Sequence, residues 1–328
     1  MVLVYFFVLI IGFYGLIKGS DIFVDGSCAI ARVLRVPELI IGLTIVAMGT
    51  SAPEMAVSIS AAMNGSNEIA VSNVIGSNIA NLLLILGVTA LFQPVPVEPT
   101  ALKRDFPIVI ITPVVLLFAM GGNALLTGKV FFMDVKANAG TVSRIEAAVL
   151  VIIFIAYIVY LIVDAKKSKD LNKDEASGEE IKMGKCILLI VLGLVMIVVG
   201  GRAVVYSAKN IARAAGMTET LIGLTIVALG TSLPELVTSV VAAKKGQVDL
   251  ALGNVLGSNV CNTLLVLGMS ALIHPVTVNV ASFFDLMVCI AVSILTCIFA
   301  ATHRRIVFSE GMLMLGIYVL YIVYAQMR

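Results

Sequence analysis

The stretch IGLTIVAMGTSAPE (residues 41–54) recurs almost unchanged as IGLTIVALGTSLPE (residues 222–235), 181 positions further along the chain. The similarity extends beyond this stretch, because SNVIGSNIAN (72–81) matches GNVLGSNVCN (253–262) at the same offset. Between residues 40–91 and 221–272, 29 of the 52 paired positions are identical. The chain therefore contains an internal duplication.

The composition excludes an ordinary soluble domain. The 328 residues are 60% hydrophobic and 13% charged, with a mean hydropathy of +1.09, whereas soluble domains carry about 25% charged residues. A membrane-spanning helix needs about 20 apolar residues. Ten apolar runs predict ten spans, at residues 2–18, 38–63, 69–92, 105–121, 145–163, 186–206, 219–243, 249–273, 281–300 and 306–326.

One strongly charged stretch, DAKKSKDLNKDEASGEEIKMGK (164–185), divides the ten spans into two sets of five. Its composition predicts a solvated linker. It separates a first repeat (1–163, with its duplicated core at 38–92) from a second (186–328, core 219–273). Because each half has an odd number of spans, the second copy must enter the membrane inverted. We predict an all-α integral membrane protein of two inverted-topology five-helix repeats, with helices broken near the midplane.

The distribution of Lys and Arg predicts the orientation, since these residues concentrate on the cytoplasmic side. With the N-terminus outside, the inner segments carry 14 Lys and Arg residues and the outer segments carry seven. The linker alone supplies six of the 14. We therefore predict a multi-pass protein of the cell membrane, with both termini outside and the linker in the cytoplasm.

Two carboxylates interrupt the apolar spans at equivalent places, Glu54 and Glu235. A charged side chain at the bilayer centre costs several kcal/mol and is usually functional. Each glutamate follows a proline, Pro53 or Pro234, and proline removes the helical hydrogen bond to the carbonyl four residues earlier. A structural glutamate is the alternative for a single position, but two matched glutamates favour an ion site.

Oxygen-bearing residues repeat at helical spacing around each glutamate, which places them on one helix face. Carboxylate, amide, hydroxyl and carbonyl oxygens suit hard cations such as Ca²⁺ or Na⁺. The candidate ligands are Ala47, Thr50, Ser51, Glu54 and Ser58 with Ser77 and Asn81 in the first repeat, and Ala228, Thr231, Ser232, Glu235 and Ser239 with Ser258 and Asn262 in the second.

Four further asparagines leave two readings open. Asn73 and Asn254 either bind an ion or bond the backbone freed by the breaks, and Asn78 and Asn259 are equally undecided.

The five cysteines and two histidines show no metal-ligand spacing, and the net charge is only +2. We therefore predict no cofactor, no nucleic-acid partner and no obligate protein partner; the partners expected are the transported ions and the lipid bilayer.

The motifs GTSAPE (49–54) and GTSLPE (230–235), each followed by a GSN-containing segment, resemble the two repeats of the cation/Ca²⁺ exchanger superfamily. The nearest similarity is to the prokaryotic sodium/calcium exchangers. The resemblance implies that the first and sixth spans slide against an eight-helix core. It also implies that Glu54 and Glu235 are the central Ca²⁺ ligands. The other implied Ca²⁺ and Na⁺ ligands are Thr50, Ser51, Thr231, Ser232, Ser77, Ser258 and the carbonyls of Ala47 and Ala228.

One position departs from the family pattern. Where many members carry an aspartate in the second repeat, this chain has Asn262, which matches Asn81 in the first repeat. Two carboxylates balance one Ca²⁺ or two Na⁺, so the departure leaves the ion stoichiometry open. Dependence on K⁺, known in one branch of the family, is open as well.

The predicted activity is exchange of Na⁺ for Ca²⁺ by alternating access around the glutamate pair, without covalent chemistry. A Ca²⁺/H⁺ antiporter of the same superfamily is the nearest alternative. Members of that proton-coupled branch typically show a GNxxE-like pattern, however, where this chain has GTSxPE. An intramembrane enzyme using the glutamates as an acid–base pair has no supporting histidine or nucleophile motif. A passive channel would not need inverted broken helices.

Overall fold

The computed structural model describes residues 2–126, 134, 137–171, 183–217 and 228–327. This part of the chain is almost entirely α-helical. The first repeat has six helices: α1 (Val2–Leu34), α2 (Glu38–Thr50), α3 (Ala52–Met63), α4 (Asn67–Phe92), α5 (Pro99–Leu126) and α6 (Arg144–Leu171). The second has six more: α7 (Met183–Ala214), α8 (Ala228–Thr231), α9 (Leu233–Lys244), α10 (Val248–Ile273), α11 (Val280–His303) and α12 (Phe308–Met327).

Seven of these helices are long and apolar enough to cross a membrane, and α2 with α3 adds an eighth if the bent pair is one span. The ten predicted spans are therefore only partly recovered in the described residues. Helix α5 covers the predicted span 105–121 but is not one of the seven. The predicted span 219–243 contains α8 and α9, and its residues 219–227 lie outside the described part.

Two helices are longer than the sequence predicts. The first and sixth apolar runs end at residues 18 and 206, but α1 continues to Leu34 and α7 to Ala214. The extra turns of α1 contain small residues with low hydropathy that pack against α7. A Cβ on Gly19 would lie 2.7 Å from Cβ of Met196. Hydropathy misses these turns because neighbouring backbone, rather than lipid, covers them.

Helices also enter both ends of the predicted linker 164–185, since α6 ends at Leu171 and α7 begins at Met183. Asp164 forms an ion pair with Arg104 of α5, which also pairs with Asp105. The start of the predicted linker is thus part of a helix that is bonded to its neighbour, and not a solvated tether. Residues 172–182 lie outside the described part.

Two short antiparallel sheets join the halves, and the sequence analysis predicted neither. β1 (Val95–Pro96) pairs with β4 (Arg305–Ile306), and β2 (Asn138–Val142) pairs with β3 (Val276–Asn279). Each pair joins a segment of the first repeat to a segment of the second. β1 and β4 have two residues each and are too short to show an alternating pattern in the sequence.

Helices α4 and α10 form the centre of the protein, since 78% of the residues in the most apolar window of each are buried. Each contains one wide π-helical turn, Asn81–Ile85 in α4 and Cys261–Val266 in α10. Such turns are rare and frequently mark functional sites. Here they begin at Asn81 and one residue before Asn262, which are two of the candidate ligands.

Candidate ion-binding site

The two helix breaks have nearly the same backbone geometry. Ser51 separates α2 from α3 with φ −79° and ψ 4°, and Ser232 separates α8 from α9 with φ −87° and ψ 3°. In each repeat the proline follows within the first turn of the next helix, where its missing N–H costs least. The helix axis bends by 46° between α2 and α3. The break therefore directs Ser51 and Glu54 toward the centre.

Both glutamates are buried, with exposed fractions of 0% for Glu54 and 1% for Glu235. Each accepts a hydrogen bond from the break serine of the other repeat. The Ser51 hydroxyl donates to Oε1 of Glu235 over 3.1 Å, and the Ser232 hydroxyl donates to Oε1 of Glu54 over 3.2 Å. Ser77 lies 3.1 Å from Ser232 and 3.5 Å from Oε1 of Glu54. The two repeats therefore meet at this carboxylate pair.

A second set of bonds crosses between the repeats with the same symmetry. The Thr50 hydroxyl lies 3.0 Å from Oδ1 of Asn254, and the Thr231 hydroxyl lies 3.4 Å from Oδ1 of Asn73. These four residues occupy equivalent positions at the 181-residue offset. The threonine of each broken helix is therefore held by an asparagine of the opposite repeat.

Asn73 and Asn254 also fix the backbone beside the breaks. The Asn73 amide donates to Ser58 Oγ over 2.9 Å and to the Glu54 carbonyl over 3.2 Å. The Asn254 amide donates to Ser239 Oγ over 2.9 Å and to the Glu235 carbonyl over 3.5 Å. Of the two readings left open by the sequence, the structure displays backbone bonding. The Ser58 and Ser239 hydroxyls, predicted on the ion-facing side, are engaged by these amides.

Several buried oxygens have no hydrogen-bond partner within the described part of the chain. Buried polar atoms are nearly always bonded, and an exception requires an explanation such as an ion. Those among the predicted ligands are Oε2 of Glu54, Oε2 of Glu235, Oδ1 of Asn81, Oγ of Ser258 and Oδ1 of Asn262. They are carboxylate, amide and hydroxyl oxygens, the ligand types that Ca²⁺ and Na⁺ take.

The asparagines of α4 and α10 bond to one another across the centre. The Asn81 amide donates to Oδ1 of Asn259 over 3.1 Å, and the Asn78 amide donates to the Thr263 hydroxyl over 2.7 Å. This places Oδ1 of Asn259 in a protein bond but leaves Oδ1 of Asn78 without a partner among the described residues. The equivalent asparagines therefore do not play identical roles.

The carbonyl of Ala47 differs from the expectation that the break frees it. It accepts the backbone N–H of Ser51 over 3.0 Å and lies 3.4 Å from the Thr50 hydroxyl. The reason is that Pro53 removes only the donor to Gly49, so the bond to Ala47 survives. An ion at Ala47 would use the second lone pair of this carbonyl. Ala228 is the first residue of α8 in the second repeat.

Within the described residues, side-chain hydrogen bonds engage the predicted ligands Thr50, Ser51, Glu54, Ser77, Asn81, Thr231, Ser232 and Glu235. Ser258 and Asn262 are buried on α10 but make no side-chain hydrogen bond within the described residues. Two of the four asparagines whose role the sequence left undecided, Asn73 and Asn254, hold the threonines of the opposite repeat. The sequence signal for a shared role was that these two asparagines lie 181 positions apart, as the two glutamates do.

A cavity of about 650 Å³ leads from the surface toward the second break. It lies between α3 and α7, and it reaches Gly230, Thr231 and Pro234 at its inner end. We call the membrane face where α6 ends and α7 begins the linker side, and the opposite face the far side. Arg202, Lys209 and Asn64 line the cavity near the far side.

Known proteins with the same architecture identify the family. A family model described as sodium/calcium exchanger protein matches residues 4–163 and 185–327. The sodium/calcium exchanger MaX1 of Methanosarcina acetivorans is 37% identical over 353 residues, which cover 98% of this chain and 99% of that protein. The inner membrane protein YrbG of Escherichia coli is 32% identical, over 88% of this chain and 86% of its own.

Solved structures give the same result. The sodium–calcium exchanger NCX_Mj soaked with 2.5 mM Na⁺ and 0.1 mM Ca²⁺ matches with a TM-score of 0.82 and 30% identity, over 98% of this chain and 99% of its own. The same exchanger soaked without Na⁺ and Ca²⁺ matches with a TM-score of 0.82 over the full length of both chains. The resemblance carried by the two GTSxPE motifs is thereby confirmed, and the chain belongs to the sodium/calcium exchanger family.

Proposed function

We propose that this protein is a secondary antiporter that exchanges Na⁺ for Ca²⁺ across the cell membrane. The observation that carries the proposal is the pair of buried glutamates, each with one oxygen held by a serine of the other repeat and one oxygen without a partner among the described residues. Two buried carboxylates without a compensating cation are costly. One Ca²⁺ or two Na⁺ would neutralise them, so the two ions compete for the same oxygens.

Competition for one site couples the two fluxes. An empty site carries two negative charges through a low-dielectric barrier, whereas a loaded site is close to neutral. The conformational change is therefore favoured only when an ion is bound, and a Na⁺ gradient can drive Ca²⁺ movement without a nucleotide. The relatives named as exchangers support transport rather than enzymatic catalysis. The protein would thus act as a carrier with Ca²⁺ and Na⁺ as its substrates.

The proposed architecture is ten spans in two inverted five-helix repeats, with α2–α3 and α8–α9 as the two broken spans. The reciprocal bonds at the 181-residue offset support it, because inverted repeats bring equivalent residues together at a midplane site. The termini would lie outside and the linker 164–185 in the cytoplasm, as the Lys and Arg bias favours.

Alternating access would follow from movement of α1 and α7 against the other helices. In their most apolar windows only 17% of α1 and 28% of α7 residues are buried, against 78% in α4 and α10. The two peripheral helices pack on each other through glycines. They can therefore shift together while the buried site keeps its geometry.

A Ca²⁺/H⁺ antiporter is the second candidate, because two buried glutamates could carry protons in place of Na⁺. The hydroxyls of Thr50, Ser51, Thr231 and Ser232 beside the carboxylates favour Na⁺, since a proton needs no further oxygen ligands.

The test is Ca²⁺ flux in vesicles containing the purified protein, with gradients of Na⁺, K⁺ and pH imposed separately. We expect Ca²⁺ uptake to follow an outward Na⁺ gradient and to proceed without K⁺. Uptake driven only by a pH gradient would replace this proposal with the proton antiporter. Dependence on added K⁺ would assign a third transported ion.

A further inference from the structure

The two repeats differ where α1 and α7 pass their neighbouring broken spans. Lys245, directly after α9, lies 2.5 Å from Asp21 Oδ1 and 2.6 Å from Asp25 Oδ1 of α1. Its ammonium also donates to the Asp21 carbonyl over 3.0 Å, and Lys18 pairs with Asp21 Oδ2 over 2.8 Å. We call Lys18, Asp21, Asp25 and Lys245 the linker-side ion-pair cluster.

The equivalent positions of the other repeat cannot form this cluster. At the 181-residue offset, Lys18, Asp21 and Asp25 correspond to Val199, Arg202 and Tyr206, and Lys245 corresponds to Asn64. A buried bond nearby is also confined to one half: Ser20 lies 3.2 Å from the Thr238 hydroxyl. Their counterparts are Gly201 and Val57, which have no side-chain hydroxyl. Polar contacts therefore join α1 to α9, whereas the equivalent positions of α7 and α3 do not have the side chains to form them.

The cavity between α1 and α9 and the cavity between α3 and α7 also differ from each other. The far-side cavity between α3 and α7 reaches Thr231 and Pro234 at the second break. Its counterpart between α1 and α9 has about 370 Å³ and is lined by Lys18, Asp21, Val241, Lys244 and Lys245, with no residue of the first break. The far-side cavity thus reaches a helix break, whereas the linker-side cavity reaches none.

Charge keeps the cluster intact at neutral pH. Burial lowers the pKa of Lys245, but the hydrogen bonds that its ammonium donates to Asp21 and Asp25 more than offset this, so the pKa of Lys245 is raised above its ordinary value. Lys245 stays protonated, and one ammonium is shared between two carboxylates of α1. Because the cluster joins a peripheral helix to the end of a broken span, opening the linker side by moving α1 has to separate these groups.

We propose that the linker-side ion-pair cluster is a one-sided closure that holds the exchanger open to the far side, and that Lys245 is its central residue. The proposal rests on the alternating-access function above. Since the equivalent positions of the other repeat lack the carboxylates and the lysine that these pairs need, the two open states differ in stability, and the far-side-open state is favoured. Exposed ion pairs are individually weak, so we expect a population shift of about two- to fivefold when the cluster is lost.

Two equivalent reporter positions test this. Val241 lines the linker-side cavity and Ser60 lines the far-side cavity, and they correspond at the 181-residue offset. Single Val241→Cys and Ser60→Cys reporters are made in a background without the five native cysteines. Their rates of reaction with a hydrophilic maleimide are measured in detergent, where both faces are accessible. Lys245→Gln and Asp25→Asn should raise the rate of the Val241→Cys reporter and lower that of the Ser60→Cys reporter.

Two further variants distinguish the effect of losing the cluster from a general loss of folding. Lys244→Gln removes a neighbouring charge that lies over the Phe92 ring instead of on α1, and it should leave both rates unchanged. The double exchange Asp25→Lys with Lys245→Asp should restore part of the wild-type ratio. Unchanged reporter rates in both single variants would overturn the proposal.

Ca²⁺ flux in the same variants keeps the two proposals distinguishable. Retained Na⁺-driven exchange together with unchanged reporter rates would overturn the closure alone. Wild-type protein without Na⁺-driven exchange would overturn the proposed function, whereas a shift in the reporter rates would still support the closure.

Discussion

The hydroxyl of Ser51 donates to Oε1 of Glu235, 184 residues further along the chain, over 3.1 Å. Ser232 and Glu54 form the same contact in reverse over 3.2 Å. Each repeat thus supplies a carboxylate to the site and a hydroxyl to the carboxylate of the other repeat. The duplication is therefore a requirement of the site, because neither half contains a complete set of these contacts.

Replacing either glutamate by glutamine should abolish Na⁺-driven Ca²⁺ exchange. One remaining carboxylate cannot balance Ca²⁺ in a buried site, and uncompensated buried charge costs about 3–5 kcal/mol, which corresponds to a loss of roughly a hundredfold or more. Uptake of radioactive Ca²⁺ into vesicles measures the effect for Glu54→Gln and Glu235→Gln. Glu68→Gln, an exposed carboxylate in the first turn of α4, is the matched control. Near-normal uptake in either site variant would contradict the assignment.

The break serines should contribute equally. A hydrogen bond to a charged group is worth about 1.5–3 kcal/mol, so Ser51→Ala and Ser232→Ala should each weaken apparent Ca²⁺ affinity by roughly tenfold to a hundredfold. Titration of Ca²⁺ binding by calorimetry measures this. Ser60→Ala, on the cavity-lining face of α3, should have little effect. Unaltered affinity in both break variants would mean that the hydroxyls do not support the carboxylates.

Asn262 should set the charge of the loaded site. Its amide is buried and neither polar atom has a partner among the described residues, so Asn262→Asp would add a third carboxylate oxygen ligand. Three negative charges accommodate a third Na⁺, and we expect a steeper dependence of exchange on Na⁺ concentration. Asn210→Asp, near the end of α7, adds the same charge away from the site. An unchanged Na⁺ dependence in an Asn262→Asp protein that still exchanges Ca²⁺ would refute this role.

The contact between α1 and α7 should tolerate no side chain at Gly193. A Cβ there would lie 2.6 Å from the backbone nitrogen of Phe23, and overpacking costs about 1–3 kcal/mol. We expect Gly193→Ala to lower the thermal midpoint in detergent by about 2 °C or more. Gly184→Ala is the control, since its added Cβ would meet no neighbour within 4 Å. Equal midpoints for the two variants would show that the helices separate easily.

The duplicated sequence predicts the residues of the site better than their contacts. Glu54, Glu235 and the flanking hydroxyls follow from buried carboxylates and helical spacing. The bonds from Thr50 to Asn254 and from Thr231 to Asn73 join opposite repeats. Spacing within one helix contains no information about them. The bond from the Ser51 N–H to the Ala47 carbonyl survives because Pro53 removes only the donor to Gly49.

Hydropathy likewise predicts where the helices lie but not where they end. The apolar run of the first span stops at residue 18, whereas α1 reaches Leu34 because Gly19 packs against α7 and Asp21 pairs with Lys245. Small residues in these turns are covered by protein, and a hydropathy window counts them as loop. Hydropathy misses the helical start of the predicted linker for the same reason, as the pair of Asp164 with Arg104 illustrates.

The central claim is that Glu54 and Glu235 hold the same ions in turn. Anomalous diffraction from crystals soaked with Ca²⁺ or Sr²⁺ tests it most directly. We predict a peak bound by Oε2 of both glutamates, which disappears when excess Na⁺ is added. A cation bound elsewhere, with both Oε2 atoms bonded only to protein groups, would contradict the account.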